Sequence, residues 1–205
     1  MPDSLPLLVF DLGKVFVDFD YQESMQRLAH RCNLEESQLY AKLINSPLFQ
    51  DYERGIISTT IFFKRAKEIT GFDGTFDEFA SYFTTVFRPI EPMINLHREL
   101  KKLGYKTCLF SNTNEMAINY FNIHFPFINE FDWQIFSYQR KSMKPEEKIY
   151  RILEVQTGFS GNRIVYLDDI EENIQTGIRL GWRAFVHQDV EKTRRIFIDL
   201  NLLTR

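Results

Sequence analysis

Two rhythms of apolar residues divide the chain. Leu7 to Phe10 is an unbroken apolar run ending on Asp11, with a turn at Leu12, Gly13 and Lys14, and it predicts a short strand buried on both faces. After Asp20 the spacing becomes helical. Tyr21 to Asn33 carries Met25, Leu28 and Ala29 on one stripe, and Glu35 to Ile44 carries Leu39, Leu43 and Ile44. Ser58 is placed to cap a helix running to Ile69, and Phe76 to Phe87 repeats the pattern with Phe79, Phe83 and Phe87. No strand is evident in this block, which closes at the breakers Pro89 and Pro92. Beyond Glu91 the two rhythms alternate. Strands are predicted at Tyr105–Phe110, Trp133–Phe136, Ile164–Leu167 and Trp182–Val186. Helices are predicted at Glu91–Leu103, from Glu115, at Pro145–Gln156 (proline in its first turn), at Glu172–Leu180 and over Val190–Leu200. The pattern implies an α/β fold, a doubly wound parallel sheet built from 1–17 and 91–205, with 18–90 as a helical insertion after the first strand.

Composition narrows the setting. The chain has 205 residues, enough to bury a substantial core, and its 44% hydrophobic and 26% charged content is ordinary for a globular protein. A formal net charge of -3 offers no electrostatic case for nucleic acid or an anionic membrane as partner. No apolar run approaches the ~18 residues of a membrane span. The amino terminus lacks the basic and apolar regions of a secretory signal, and Cys32 and Cys108 are far apart, so a reduced, cytoplasmic setting is expected. Twenty Phe and nine Tyr predict an aromatic-rich core.

Chemistry enters through position. Asp11 at a strand's carboxyl end fits either a turn-capping residue or a carboxylate presented for catalysis. Later segments favour the second. Ser111 and Asn112 follow one predicted strand, Asp168 and Asp169 follow another, and Lys144 lies in the loop before Pro145. In a parallel sheet these ends share one edge, so the side chains converge although they are remote in sequence. Carboxylates about 4 Å apart repel by ~4 kcal/mol per pair at an effective dielectric of 20, which calls for protons or a cation. Oxygen donors without nearby His or Cys favour Mg²⁺ over zinc. A metal there would draw in a phosphate, met by Ser111, Asn112 and Lys144, with Asp11 opposite the leaving group as nucleophile.

These motifs resemble those of the haloacid dehalogenase-like hydrolases: FDLGKV from Phe10, LFSN from Leu109, the Lys144-Pro145 pair and LDDIEEN from Leu167. The resemblance covers nearly the whole chain. Together with YERGIIS from Tyr52 and FSNT from Phe110, it looks closest to a branch holding α-D-glucose-1-phosphate phosphatase, near the phosphatase domain of soluble epoxide hydrolases. It implies a Rossmann-like core with a helical cap, and a Mg²⁺-dependent phosphatase working through an aspartyl-phosphate on a small phosphorylated metabolite such as a sugar phosphate. It also implies that Asp11 is nucleophile and metal ligand, that Gly13 lends a backbone carbonyl to the metal, and that Asp169 is a ligand. Asp168 would be a ligand or its neighbour, with Ser111 and Lys144 holding the phosphoryl group.

One position departs from the family pattern. Phosphatases of this kind carry Asp two residues after the nucleophile as general acid and base, and here Gly13 stands there. Loss of a general acid costs ~10²- to 10⁴-fold. Either the substrate carries a good leaving group, such as an anomeric or acyl oxygen, or water or a cap residue supplies the proton. Two rivals are a catalytically silent phosphate-binding relative and a metal-independent haloacid dehalogenase; the Asp168-Asp169 pair, repelling a carboxylate substrate, speaks against the latter.

Several other residues carry two readings. Asn173 either orients the acidic loop or is a plain polar helix position. Asp18 and Asp20 are read as caps of the next helix rather than as the missing acid. Tyr52, Glu53 and Arg54 either touch substrate or end a helix, and Lys14 is a rim charge or a solvated turn residue. His30, His97, His124 and His187 share no ligand spacing and are read as structural or surface residues. Apolar cap faces allow a monomer or a homodimer.

Overall fold

The computed structural model describes residues 5–204. Its centre is a five-stranded sheet of β1 (Leu7–Phe10), β4 (Lys106–Ser111), β5 (Trp133–Phe136), β6 (Ile164–Asp168) and β7 (Arg183–Val186) in the order β5-β4-β1-β6-β7. Every pairing is parallel, with Val9 between Cys108 and Tyr166. β1 is central, so successive crossovers run outward in both directions from it, and the crevice at its carboxyl end is the switch point of a Rossmann-like sheet. Alternation along the strands feeds separate layers. Leu8, Phe10, Leu109, Val165 and Leu167 pack against α6 (Glu91–Lys102) and α11 (Val190–Asp199). Leu7, Val9, Phe110 and Tyr166 pack against α9 (Glu147–Thr157) and α10 (Glu171–Arg179). Each fully buried side chain of this size contributes about 1.5–3 kcal/mol.

The helical insertion has its own apolar centre. It comprises α1 (Tyr21–Ala29), α2 (Glu36–Leu39), α3 (Pro47–Glu53), α4 (Thr59–Thr70) and α5 (Phe76–Thr84). Met25, Leu39, Phe49, Phe62, Phe79 and Phe83 close around one another, joined by Met116 from α7 (Glu115–His124). Phe62, Phe79 and Phe83 form a run of ring contacts, and Tyr52 stacks on Phe62 at 4.4 Å, which accounts for much of the Phe surplus. Asp20, Ser46, Ser58 and Thr75 cap α1, α3, α4 and α5 through side-chain acceptors. Among the described residues no helix is long and apolar enough to cross a membrane.

The structure departs from the sequence reading in several places. The insertion is not all helix: β2 (Val17–Asp18) and β3 (Arg88–Pro89) pair antiparallel as the stem through which the chain leaves and re-enters the core. The helix expected to run to Phe87 therefore stops at Thr84. The helix expected over Glu35 to Ile44 passes into a π turn at Tyr40–Ile44. α3 ends at Glu53, where a helix end was one of two readings, but its extent is not legible because a seven-residue helix offers little periodicity. Pro145 is not in a helical first turn but follows a cis peptide from Lys144, and α9 begins two residues later. Of the candidate acids, Asp20 is the cap of α1, while Asp18 pairs with Lys14. His97 and His187 are buried on Thr107 and Thr193 hydroxyls.

Candidate active site

Asp11 leaves β1 with its N–H bonded to the Leu167 carbonyl of β6, so the backbone is pinned where the central strands end. Lys144 reaches this point from the loop before α9. Its ammonium donates to Asp11 Oδ1 at 2.7 Å, Asp168 Oδ2 at 2.5 Å and the Phe110 carbonyl at 2.8 Å. All three donors are thereby engaged. One oxygen of Asp11 is locked, and Oδ2 lies on the Gly13 side, 3.8 Å from where a Cβ there would stand. Ligand oxygens of Asp11, Asp168 and Asp169 lie within 4.8 Å of one another, so Asp11 and Asp169 are close enough to share an ion.

Supporting side chains hold these groups. Asn112 accepts from the Lys144 N–H and donates to the Lys144 carbonyl, both at 2.8 Å, so its amide clamps the lysine's backbone while it lines the cavity. Ser111, at the end of β4, lines the cavity beside Asp11. Asp168 accepts from the Tyr166 hydroxyl at 2.5 Å, the Ile170 N–H at 2.9 Å and the Asn173 amide at 3.0 Å. Asn173 therefore orients the acidic loop. Tyr166 was not anticipated, although residues i and i+2 share a strand face and the Tyr-Leu-Asp order puts its hydroxyl beside the carboxylate.

The charges are out of balance. Burial pushes the Asp11 carboxyl up, Lys144 pulls it down, and the Asp168 and Asp169 charges push it up again. Burial would also raise Asp168, but Lys144, Tyr166 and the Ile170 N–H hold it below the usual carboxylate range. Asp169 is raised by burial and by Asp168. Lys144, despite its burial, is raised by Asp11 and Asp168 and remains an ammonium. One lysine thus faces three carboxylates, and the excess negative charge with an all-oxygen donor set fits a hard divalent cation. Gly13 lies on the cavity wall.

The cavity above this cluster is about 250 Å³. At the sheet edge it is lined by Asp11, Ser111, Lys144 and Asp169, from the insertion by Phe19, Tyr21, Phe87 and Glu53, and from α7 by Phe121. Glu53 is the last residue of α3, in the segment for which substrate contact was one of two readings. Burial, then the Asp11 charge, push its carboxyl up to about 7. Lys14 also lines the cavity, but its ammonium is bonded to Asp18 and the Phe19 carbonyl, both at 2.6 Å, and its side chain is 45% exposed.

Comparison with known proteins bears on this geometry. A family model described as haloacid dehalogenase-like hydrolase matches residues 3–186. The chain is 25% identical over 189 residues to the D-ribitol-5-phosphate phosphatase of Bacteroides thetaiotaomicron, covering 87% of this chain and 89% of that one. Its fold is similar to a HAD-like hydrolase of Porphyromonas gingivalis, with a TM-score of 0.84 at 22% identity over 98% of this chain and 99% of that one. It is also similar to a HAD family enzyme of B. thetaiotaomicron solved with magnesium and inorganic phosphate, with a TM-score of 0.78 at 21% identity, covering 90% and 95%.

Proposed function

Because the chain belongs to the haloacid dehalogenase-like hydrolases, we propose that it is a magnesium-dependent phosphatase of a small phosphorylated sugar or polyol, working through an aspartyl-phosphate on Asp11. The observation that carries this reading is the state of Asp11: one oxygen is held by Lys144, the other is open to the cavity, and Asp168 and Asp169 stand within reach of a shared cation. The magnesium complex and the phosphatase activity of the relatives support it. Bound at Asp11, Asp169 and Asp168, Mg²⁺ would neutralise the carboxylates and the phosphoryl oxygens.

The chain's own groups do the rest. Asp11 Oδ2 attacks phosphorus in line, Ser111 donates to a phosphoryl oxygen, and Lys144 balances the charge on Asp11 and Asp168 while fixing the angle of attack. Asn112 and Asn173 keep Lys144 and Asp168 in place. The insertion 18–90 acts as a cap whose inner wall excludes water and meets the leaving group.

A panel of sugar and polyol phosphates, assayed with and without Mg²⁺ beside Asp11→Asn, tests the proposal. Turnover that needs Mg²⁺ and falls to background in Asp11→Asn is expected. Turnover indifferent to both changes overturns it. Gly13 favours a silent phosphate binder as the second reading; capture of aluminium fluoride with Mg²⁺ but no turnover of any ester would establish that instead.

A further inference from the structure

We propose that Glu53, reaching in from the helical insertion, is the general acid and base of the reaction, carrying the proton that a side chain at position 13 would otherwise carry. The inference rests on the phosphatase reading of the same cavity.

Geometry selects Glu53. With phosphorus held over Asp11, in-line displacement sends the leaving oxygen away from the sheet, toward the groups that the insertion adds to the cavity lining. Of the lining groups, Phe19, Phe87 and Phe121 have no proton to give. Tyr21 faces Glu53, and burial and that carboxyl push its phenol well above its ordinary range, which makes it the weaker acid of the two. Lys14 is engaged by Asp18 and the Phe19 carbonyl. Lys144 has its three donors in use below the phosphate position. Glu53 remains, with Asp11 and Asp169 as the other acids of the cavity.

Glu53 is also held as a positioned residue is held. Its carbonyl accepts from Ser137 Oγ at 2.6 Å, and that oxygen accepts from the Thr113 N–H at 2.9 Å. Arg54 pairs with Glu146, and the Gly55 carbonyl accepts from Lys141. Gly55 has φ +74°, and a Cβ there would lie 1.9 Å from the Tyr138 carbonyl oxygen, so the loop sits directly on the core backbone. Three consecutive residues of the insertion are thus tied to the core, and the first of them lines the cavity. Burial favours the protonated form of this carboxyl, and a dianionic phosphate adds to that effect.

In the first step the Asp11 Oδ2–P bond forms, the P–O bond to the leaving group breaks, and the Glu53 proton passes to the departing oxygen. In the second, Glu53 takes a proton from water as its oxygen bonds to phosphorus and the Asp11–P bond breaks, releasing phosphate. The sum is ester and water to alcohol and phosphate, with Asp11 and Glu53 restored.

The test compares Glu53→Gln and Glu53→Asp with the parent on alkyl phosphates and on p-nitrophenyl phosphate, all with Mg²⁺. Glu53→Gln should lower kcat/KM on alkyl esters by ~10²- to 10³-fold and on the aryl ester by less than ~10-fold, because a good leaving group needs no proton and kcat/KM covers only the steps up to its release. The alkaline limb of the parent's kcat/KM profile on alkyl esters should vanish, and Glu53→Asp should recover part of the alkyl rate. An equal loss of kcat/KM on both ester classes overturns the inference and leaves the phosphatase reading standing. A parent that turns over neither class in Mg²⁺ overturns the reading and the inference together.

Discussion

At the scale of single residues the site is a problem of counter-charge. Lys144 stands between Asp11 and Asp168 with 2% of its side chain exposed, so removing it leaves buried carboxylates without their cation. Breaking a buried pair from one side costs about 3–5 kcal/mol. Lys144→Met should lose about that much unfolding free energy at pH 8, and most of it should return near pH 4, where Asp11 and Asp168 are free to protonate. Chemical denaturation at the two pH values checks this; a loss independent of pH would mean that packing, not charge, holds Lys144. Gly13 poses the converse problem. A Cβ there would come 3.1 Å from Phe19 Cε1, so a side chain is admitted if that ring yields by a few tenths of an ångström. Gly13→Asp introduced into Glu53→Gln should therefore recover alkyl-phosphate turnover lost in the single variant. Steady-state rates of the double variant decide it, and no recovery in a folded double variant would mean that the proton must come from the cap side.

At the scale of elements, the segment Glu53–Gly55 shows what a sequence conveys and what it withholds. The central sheet was legible: continuous apolar runs such as Leu7–Phe10 belong to strands buried on both faces, and each ends on polar residues at the same edge. Ser111, Lys144 and the Asp168-Asp169 pair could be placed near Asp11 from topology alone, because a parallel sheet leaves strand ends nowhere else to go. The β2–β3 stem was not legible, since two-residue strands carry no period. Nor was the clamp on Glu53, which depends on Ser137 and Lys141 more than 80 residues away. Asn112 was legible in position, whereas its hold on the Lys144 backbone was not. The clamp makes a prediction at its own scale. Gly55→Ala must either leave φ +74° or push the loop off Tyr138, so α3 should tilt away from the core. A left-handed non-glycine residue costs about 1–3 kcal/mol, a fall in Tm of several degrees for a chain of this length. Alkyl-phosphate kcat/KM should fall further than the aryl value, as in Glu53→Gln; a Tm loss with both intact would show that the contact serves stability alone.

At the scale of the whole molecule, the site carries a charge burden that a bound cation should relieve, and pH exposes it. Asp11, Glu53 and Asp169 all sit above their ordinary values in the fold. Between about pH 4 and 7 the native state keeps protons that the unfolded chain has released, so these groups make stability fall as pH rises through that window. Buried histidines act in the opposite sense: His97, lowered to about 4, and His187, lowered by its burial, make stability rise with pH until the unfolded histidines have lost their protons near 6.5. Asp132, lowered to about 2 because its burial is outweighed by Lys101, Lys106 and the Thr107 N–H, adds stability above its unfolded value that is lost as pH falls toward 2. The absolute profile mixes these opposed slopes, so the informative quantity is the difference made by Mg²⁺. A cation that binds the ionised cluster must displace protons at pH 5 and few at pH 8. At a concentration 100-fold above its Kd it stabilises by about 2.7 kcal/mol, or about 5–10 °C in Tm at this size. The Mg²⁺-induced rise in Tm should therefore approach that value at pH 8, shrink markedly at pH 5 and disappear in Asp11→Asn combined with Asp169→Asn. Thermal unfolding in Mg²⁺ and in chelator measures it, and an equal shift at both pH values would place the ion somewhere other than these carboxylates.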